Sequence, residues 1–145
     1  MAIDKIVIDN FQSHKHTELD LSRGINVIVG QSDTGKTAIL RALKWVFFNR
    51  PLGDFFRSSW GGDTEVSVNL NEGTLSRWKG ERSQGYSING KKLTAIKTEV
   101  PQEVQDFLNI SDVNIQSQFD RPFLIDSSAG EVGQYFNKIA HLEVI

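Results

Sequence analysis

The sequence predicts an α/β fold of the α+β type, in which a mixed sheet includes an antiparallel β-meander. Two observations predict it. A glycine-rich motif at residues 30–37 lies between an apolar, β-branched segment and a helical pattern. Residues 64–70 then alternate strictly between polar and apolar side chains, and turn signals recur up to residue 93. Strands and helices therefore do not alternate along the whole chain, as they do in doubly wound folds.

The first elements surround the glycine-rich motif. Residues 3–8 and 19–21 are predicted strands, because apolar and β-branched side chains recur there. Residues 25–29, Ile-Asn-Val-Ile-Val, are typical of a buried parallel strand. Residues 38–47 are predicted as a helix with apolar residues at 39, 40, 43, 46 and 47. This helix should end before Pro51, since proline disfavours a helical conformation in the preceding residue.

The second half begins with a loop, residues 52–63, and continues as the meander, residues 64–93. Asn89-Gly90 is a strong signal for a type I′ hairpin turn. Residues 101–108 are predicted as a short helix opened by proline, and residues 113–115 as a short strand or extended segment. Ser128-Ala129-Gly130-Glu131 is a capping box that should begin another helix.

Composition indicates an ordinary globular protein. The chain has 145 residues, of which 39% are hydrophobic and 23% charged, with a net charge of −2 and no cysteine. Neither a membrane-spanning run nor a secretion signal is recognisable, so we expect no membrane partner and a cytoplasmic or nucleoid-associated location. The net charge provides no global field that would attract nucleic acid, and any DNA binding requires a local basic patch.

The motif Gly30-Gln31-Ser32-Asp33-Thr34-Gly35-Lys36-Thr37 is a complete G-x4-G-K-[ST] phosphate-binding loop, or P-loop. Gly30 and Gly35 allow backbone angles and a close approach to phosphate that a side chain would block. The following helix, which begins near Ala38, directs free N–H groups and a partial positive charge at the anion. Lys36 is expected to reach the β- and γ-phosphates, and the Thr37 hydroxyl to coordinate Mg²⁺.

Several segments together resemble the start of the Rad50/SbcC/SMC family of ABC-type ATPases. They are Asn10-Phe11-Gln12-Ser13-His14, then residues 24–30, the P-loop with residues 38–42, and Ile115-Gln116-Ser117-Gln118-Phe119-Asp120. The Rad50-like exonuclease branch is the most similar. The resemblance implies a P-loop NTPase fold of the ABC-ATPase head type, with the whole chain, residues 1–145, forming its N-terminal lobe as one domain. Residues 128–145 would then begin a helix that leads to a coiled coil.

The resemblance also implies roles for individual residues. ATP and Mg²⁺ would be the ligands of the P-loop, with Ala38, Gln12 and Ser13 completing the nucleotide-binding set. The Q-loop glutamine, which completes the Mg²⁺ shell and senses the γ-phosphate, would be Gln116, with Gln118 as the second candidate. This chain departs from the family at Gln12, where arginine is frequent, and at Asp33, whose negative charge should weaken phosphate binding unless it faces solvent.

Two parts of a complete head are not recognisable: an apolar strand ending in Asp-Glu, and a Leu-Ser-Gly-Gly-type signature. In the family both lie in a C-terminal lobe beyond a coiled coil. The resemblance therefore implies an ATPase in the full-length protein and an inactive fragment, with no catalytic residue of its own. The implied partners are the C-terminal lobe, a second head, an Mre11/SbcD-like nuclease and double-stranded DNA bound through its backbone.

Positive charge is enriched along the meander, and its candidates for DNA contact are Arg77, Lys79, Arg82, Lys91 and Lys92. A solvated face is the alternative interpretation. A second cluster is aromatic and comprises Trp45, Phe47, Phe48, Phe55, Phe56 and Trp60. We expect it to pack around the P-loop helix, with stacking on single-stranded bases as the alternative.

Four functions are compatible with these features. The favoured one is an ATPase subunit of a DNA-repair or recombination nuclease. An SMC-type ATPase for chromosome organisation would use the same site without a nuclease. A small P-loop kinase or GTPase is disfavoured by the long antiparallel meander, and a guanine-reading Asn-Lys-x-Asp motif is not recognisable. A nucleotide-binding interaction module that does not hydrolyse its ligand is the fourth.

Overall fold

A computed structural model of the chain describes residues 1–94, 98–111, 114–122 and 124–139, with only the backbone considered at 138 and 139. The chain divides into two compact units, Met1–Ile110 and Ser111–Ile145. The first unit contains the sheet, the P-loop and two helices, and the second contains one helix. The assignment of residues 1–145 to one domain stays a prediction.

The first unit is built on a six-stranded sheet in which every neighbouring pair of strands is antiparallel. Its strands are β1 Ile3–Phe11, β2 His14–Asp20, β3 Thr64–Leu70, β4 Gly73–Lys79, β5 Gln84–Ile88 and β6 Lys91–Leu93. They lie in the order β2-β1-β3-β4-β5-β6. The predicted antiparallel meander over residues 64–93 is therefore confirmed.

One face of the sheet forms the core, because apolar side chains alternate with polar ones along the strands. Ile6 and Ile8 of β1 lie opposite Val68 and Val66 of β3, and all four side chains are buried. Leu75 of β4 continues the row beside Val68. Each of these side chains is at most 2% exposed. The strict alternation seen in the sequence thus corresponds to a sheet with one buried and one more accessible face.

Helix α1, Lys36–Phe48, packs on this sheet. It follows Gly35, whose left-handed backbone has φ of 90°. It ends at Asn49, which is also left-handed and whose N–H donates to the Trp45 carbonyl at 3.0 Å. The predicted helix is confirmed, although Leu40, expected on its apolar face, is 43% exposed.

Aromatic packing anchors α1, as expected for three members of the predicted cluster. The rings of Trp45 and Phe56 lie 4.5 Å apart, and Phe11 stacks on Phe56 at 5.5 Å. Phe47 is also buried.

Two other members of the cluster are exposed. Phe55 is 94% exposed, and Trp60 is 49% exposed and donates its indole N–H to Asn10 Oδ1 at 3.0 Å. The cluster is therefore divided between the core and the loop of residues 52–63.

The predicted buried strand at residues 25–29 is wrong for this structure. The segment has no strand assignment, and Ile25, Val27 and Val29 are 91%, 75% and 83% exposed. A parallel strand is stable only between parallel neighbours with both faces covered. The described residues supply only antiparallel strands, and β2 and β6 form the two edges of their sheet. An apolar sequence is therefore not sufficient for a strand, because the segment also needs a neighbouring strand with which to form hydrogen bonds.

Two shorter helices follow the meander. Helix α2, Gln102–Leu108, belongs to the first unit and begins after Pro101, as predicted. Helix α3, Ala129–Ile139, belongs to the second unit and begins with the predicted capping box. Val113, in the predicted strand 113–115, lies outside the described residues. Within the described part of the chain, no helix combines the length and apolar character needed to cross a membrane.

Candidate nucleotide-binding site

The P-loop folds tightly around the side chain of Lys36. The Lys36 ammonium donates to the Gly30 carbonyl at 2.9 Å and to the Gln31 carbonyl. The Thr34 hydroxyl also donates to the Gln31 carbonyl, at 2.8 Å. The ammonium is thus bonded to carbonyls of the loop itself, and phosphate oxygens would offer it stronger, charged acceptors.

The N-terminus of α1 follows a glycine, which has no side chain to cap it. Among the described residues no side-chain capping hydrogen bond is formed there, and the first turn contains no acidic residue. The first N–H groups of a helix have no partner within the helix, so those of Lys36 and Thr37 are suited to bind phosphate oxygens. The donor set therefore fits a nucleotide polyphosphate.

Asp33 and Thr37 lie at the accessible side of this loop. Asp33 is exposed and has a left-handed backbone with φ of 60°, which places its carboxylate where water screens its repulsion of phosphate. Thr37 is exposed in the first turn of α1, as a hydroxyl that coordinates Mg²⁺ has to be.

The hairpin between β1 and β2 lies against the P-loop. Gln12 and Ser13 form its turn, and a Cβ added to Gly35 would lie 2.6 Å from Ser13 Oγ. The Gln12 backbone N–H donates to the Phe56 carbonyl at 2.7 Å. Its side-chain oxygen accepts from Arg41 Nη1 at 3.3 Å, so a guanidinium of α1 lies beside Gln12. The structure thus places Ser13 against the P-loop, whereas Gln12 contacts α1 through Arg41.

The two Q-loop candidates belong to the second unit, whereas the P-loop belongs to the first. Gln116 donates from its side-chain amide to the Asp120 carbonyl at 3.4 Å. Gln118 lies exposed in the turn that follows. Asp120 also accepts the Ser117 N–H at 2.6 Å, which closes this short loop. The assignment of a metal or γ-phosphate role to either glutamine stays a prediction.

The prediction that Arg77 contacts DNA is wrong. Its side chain points to the inner face of the sheet and the residue is 1% exposed. The guanidinium lies 4.9 Å from the ring centroids of both Trp45 and Tyr86. It donates to the carbonyls of Trp78 and Gly85 and to the side-chain oxygens of Asn49 and Gln84. Such a buried group cannot reach a phosphate of DNA.

Burial also shifts the pKa values of Arg77 and Tyr86. Desolvation lowers the pKa of the Arg77 guanidinium, because burial disfavours the charged form. For the same reason burial raises the pKa of Tyr86 to about 12, although the neighbouring cation acts in the opposite direction. Arg77 joins Asn49, which caps the C-terminus of α1, to β5 and is a structural residue.

The other basic candidates remain at the surface. Lys79 is already paired with Asp54, at 2.9 Å, and its side chain is 21% exposed. The Lys92 ammonium lies 5.6 Å from the centroid of the Trp78 ring. Arg82 and Lys91 are exposed in the β4–β5 loop and on the edge strand β6. DNA contact by Lys79, Arg82, Lys91 and Lys92 stays a prediction, and the first of these is partly neutralised.

The sequence predicted no role for His14 or Arg41, although both lie in the segments that resemble the family. His14 contacts the P-loop through the Gly35 carbonyl, and Arg41 contacts Gln12. Their positions in the sequence could have indicated a place near the site. His14 directly follows the predicted nucleotide-binding residues Gln12 and Ser13. Arg41 lies on α1 one turn after Thr37, on the same side of the helix.

Comparisons with known proteins agree with this geometry. A family model described as an AAA domain matches residues 5–143. The chain belongs to this AAA domain family. Its relatives include the DNA double-strand break repair Rad50 ATPases of Methanococcus maripaludis, with 27% identity over 77% of the chain, and of Saccharolobus solfataricus, with 26% identity over the whole chain. The predicted Rad50/SbcC/SMC membership is confirmed.

The AAA domain corresponds to a small part of these relatives. It spans 12% of the length of the Methanococcus protein and 18% of the Saccharolobus protein. Among solved structures, it is similar to one from a study of ATP-driven dimerization and DNA-stimulated activation of SMC ATPases. The TM-score is 0.76 with 22% identity, covering 96% of this chain and 99% of the other. The predicted ABC-type head fold is therefore confirmed.

A second structural match is the recombination mediator protein RecF bound to ATP. Its TM-score is 0.58 with 20% identity, over 65% of this chain and 29% of RecF. At this level of identity the match supports the fold of the AAA domain. The Rad50 relatives are ATPases of DNA double-strand break repair, and the SMC and RecF structures share the fold of this chain.

Proposed function

We propose that this AAA domain binds Mg-ATP through its P-loop and the N-terminus of α1. The observation that carries the proposal is the conjunction of the Lys36 ammonium across the loop with a helix N-terminus free of capping and acidic side chains. The phosphates would accept from the backbone N–H groups of residues 30–38 and from Lys36. Gln12 and Ser13 would lie beside the adenine and ribose.

Magnesium would be held by the Thr37 hydroxyl, with Gln116 or Gln118 as the candidate second ligand. When bound, Mg²⁺ neutralises charge on the β- and γ-phosphates. Hard oxygen ligands suit this ion, and Mg²⁺ usually retains several waters beside one or two protein ligands. A hydroxyl and one amide oxygen therefore suffice for the protein's share of the coordination shell.

Calorimetric titration with ATP tests this function. Wild-type protein should bind ATP more tightly with Mg²⁺ than without it. Lys36→Ala should weaken binding about tenfold or more, because a charge-assisted hydrogen bond is worth roughly 1.5–3 kcal/mol. Thr37→Ala should remove most of the Mg²⁺ dependence. Equal affinity of the wild type and Lys36→Ala would contradict the proposal.

We further propose that the full-length protein is a Rad50/SbcC-like ATPase of DNA repair, in which two heads dimerise around ATP and act on DNA with an Mre11/SbcD-like nuclease. Support comes from the Rad50 relatives and from the similarity to a structure associated with ATP-driven dimerization of SMC ATPases. The chain spans only a fraction of these relatives, so a C-terminal lobe would supply the Asp-Glu strand and the signature.

The segment of residues 25–29 supports the need for that lobe. Its exposed Ile25, Val27 and Val29 have the composition of a buried strand, and an apolar strand from the C-terminal lobe would cover it. The fragment alone should bind ATP without hydrolysing it. Steady-state ATP hydrolysis by the fragment at the rate of a complete head, lost in Lys36→Ala, would refute the proposal that hydrolysis requires the C-terminal lobe.

An SMC-type protein without a nuclease is the second candidate, favoured by the similarity to Saccharomyces cerevisiae structural maintenance of chromosomes protein 6, 46% identical over 28% of the chain. Co-purification of the full-length protein with a nuclease bound near the coiled-coil root would favour the Rad50-like function. A full-length protein that binds ATP without turnover would indicate the non-hydrolysing interaction module instead.

A further inference from the structure

His14 connects the β1–β2 hairpin to the P-loop. It begins β2 and pairs with Phe11 across the hairpin. Its Nε2 lies 3.0 Å from the Gly35 carbonyl oxygen, and its Nδ1 lies 2.8 Å from the Thr17 hydroxyl. Both contacts are partly buried. A single imidazole ring thus bridges a strand of the sheet and the last residue before α1.

The two contacts determine which ring nitrogen carries a hydrogen. A backbone carbonyl can only accept, so His14 Nε2 must be the donor to Gly35. In the neutral ring Nδ1 is then an acceptor, and the Thr17 hydroxyl can donate to it. Thr17 therefore orients the ring so that its Nε2–H faces the P-loop.

The contact with Gly35 constrains the following N–H group. A trans peptide is planar, and its C=O and N–H point in opposite directions. The Gly35 carbonyl and the Lys36 N–H belong to the same peptide, so holding the carbonyl towards His14 directs the Lys36 N–H away from it. That N–H is one of the unpaired donors at the start of α1. Its direction decides whether it meets a phosphate oxygen.

Gly35 needs this restraint because it is the least restricted residue type and adopts φ of 90°. Its carbonyl also accepts the Ala38 N–H at 2.9 Å, and a carbonyl has room for both donors. The packing is close: a Cβ at position 35 would lie 2.8 Å from His14 Nε2. The hairpin and the P-loop are therefore fitted to each other at a glycine.

We propose that His14 is a positioning residue of the nucleotide site, which fixes the Gly35–Lys36 peptide for phosphate binding and is itself oriented by Thr17. This inference rests on the proposed binding of Mg-ATP. The ring touches the P-loop backbone and acts on the ligand through the Lys36 N–H. The β1–β2 hairpin thereby serves the phosphate end of the nucleotide as well as the predicted adenine end.

Four variants test it by Mg-ATP titration. His14→Ala should weaken binding roughly tenfold, the cost of one lost hydrogen bond to the loop. His14→Gln should retain affinity within about threefold, since its terminal amide N–H can replace Nε2–H, whereas the shorter side chain in His14→Asn should not. Thr17→Val, which keeps the shape of the side chain and removes the hydroxyl, should weaken Mg-ATP binding by more than His14→Gln and by less than His14→Ala. Urea midpoints measured in parallel establish that each variant is folded.

His16→Ala is the matched control, because this neighbouring histidine is bonded to Asp9 and Glu18 and has no contact with the P-loop among the described residues. It should leave Mg-ATP affinity unchanged. Wild-type affinity in His14→Ala, or a loss in His14→Gln as large as in His14→Ala, would overturn the proposal. In nucleotide-free protein, His14→Ala should also shift the Lys36 amide resonance. This readout remains decisive even if the wild type fails to bind ATP.

Discussion

Removal of the Arg77 guanidinium should destabilise the fold and leave the exposed basic residues of the meander in place. Arg77 is 1% exposed and joins the C-terminal end of α1 to β5 through Asn49 and Gly85. In Arg77→Ala, both acceptors stay buried and lose the hydrogen bond from the guanidinium. Trp45 and Tyr86 lose the cation that lies 4.9 Å from each ring.

The magnitude follows from these contacts. Loss of one buried hydrogen bond at each of these two acceptors costs about 1–1.5 kcal/mol, and two lost cation–π contacts cost about 1 kcal/mol each. Relief of the desolvation cost of a buried cation offsets part of this sum. We therefore expect the free energy of unfolding to fall by about 3 kcal/mol. For a chain of this size, that corresponds to roughly 6–12 °C in melting temperature.

Urea unfolding monitored by tryptophan fluorescence measures this loss, since Trp45, Trp60 and Trp78 all lie in the first unit. The control is Arg82→Ala, an exposed arginine of the same meander, which should change stability by less than about 0.5 kcal/mol. A wild-type unfolding midpoint for Arg77→Ala would refute the structural role. Weaker duplex binding by a fully stable Arg77→Ala would restore the DNA-contact interpretation.

Three further predictions concern titration and surface properties. The hydrogen bond to Asp9, followed by its charge, raises the pKa of His16 above 6.5; an NMR titration should show this, with a lower pKa in Asp9→Asn. Because the folded-state value is raised, this stabilisation is complete below pH 6.5 and is lost as pH rises through the raised pKa. Tyr86, with its pKa raised from 10 to about 12, should keep its contribution below pH 10 and lose stability from pH 10 to 12, a slope that Tyr86→Phe removes. Replacing both Val27 and Val29, which are 75% and 83% exposed, by serine should reduce self-association in sedimentation experiments without changing circular dichroism.

Local signals in the sequence were sufficient for most of the elements. The strict alternation at residues 64–70 and the Asn89-Gly90 turn predicted the meander, because both encode their geometry within a few residues. Asn89 and Gly90 have φ of 50° and 83°, as a type I′ turn requires. The capping box is confirmed reciprocally: the Ser128 N–H donates to Glu131 at 2.7 Å, and the Glu131 N–H donates to the Ser128 hydroxyl at 3.3 Å.

Failures arose where the outcome depended on distant partners. Residues 25–29 have the composition of a parallel strand, but strand pairing requires neighbours, and the described sheet supplies antiparallel strands only. Arg77 alternates in phase with Leu75 on β4, so the pattern already placed it on the inner face. Its charge suggested a surface position. Only the structure shows the ring faces and carbonyls that compensate for burial.

For the candidate site, the P-loop motif indicated which residues would contact phosphate, but it did not indicate the neighbouring residues that hold the loop in place. Because the motif is contiguous, spacing alone identifies Lys36 and Thr37. The contact of His14 with Gly35 joins residues 21 positions apart in sequence. Such a contact depends on how the hairpin packs against the loop, which local patterns do not encode.

Nucleotide binding at the P-loop can be followed residue by residue in the amide spectrum of ¹⁵N-labelled protein during titration with Mg-ATP. If the P-loop binds the nucleotide, the largest shifts should occur at Gly35, Lys36 and Thr37, with smaller shifts at Gln12 and Ser13. They should saturate with ATP concentration and be absent in Lys36→Ala. Saturable shifts confined to other residues, or an unchanged spectrum at millimolar Mg-ATP, would show that the P-loop does not bind the nucleotide.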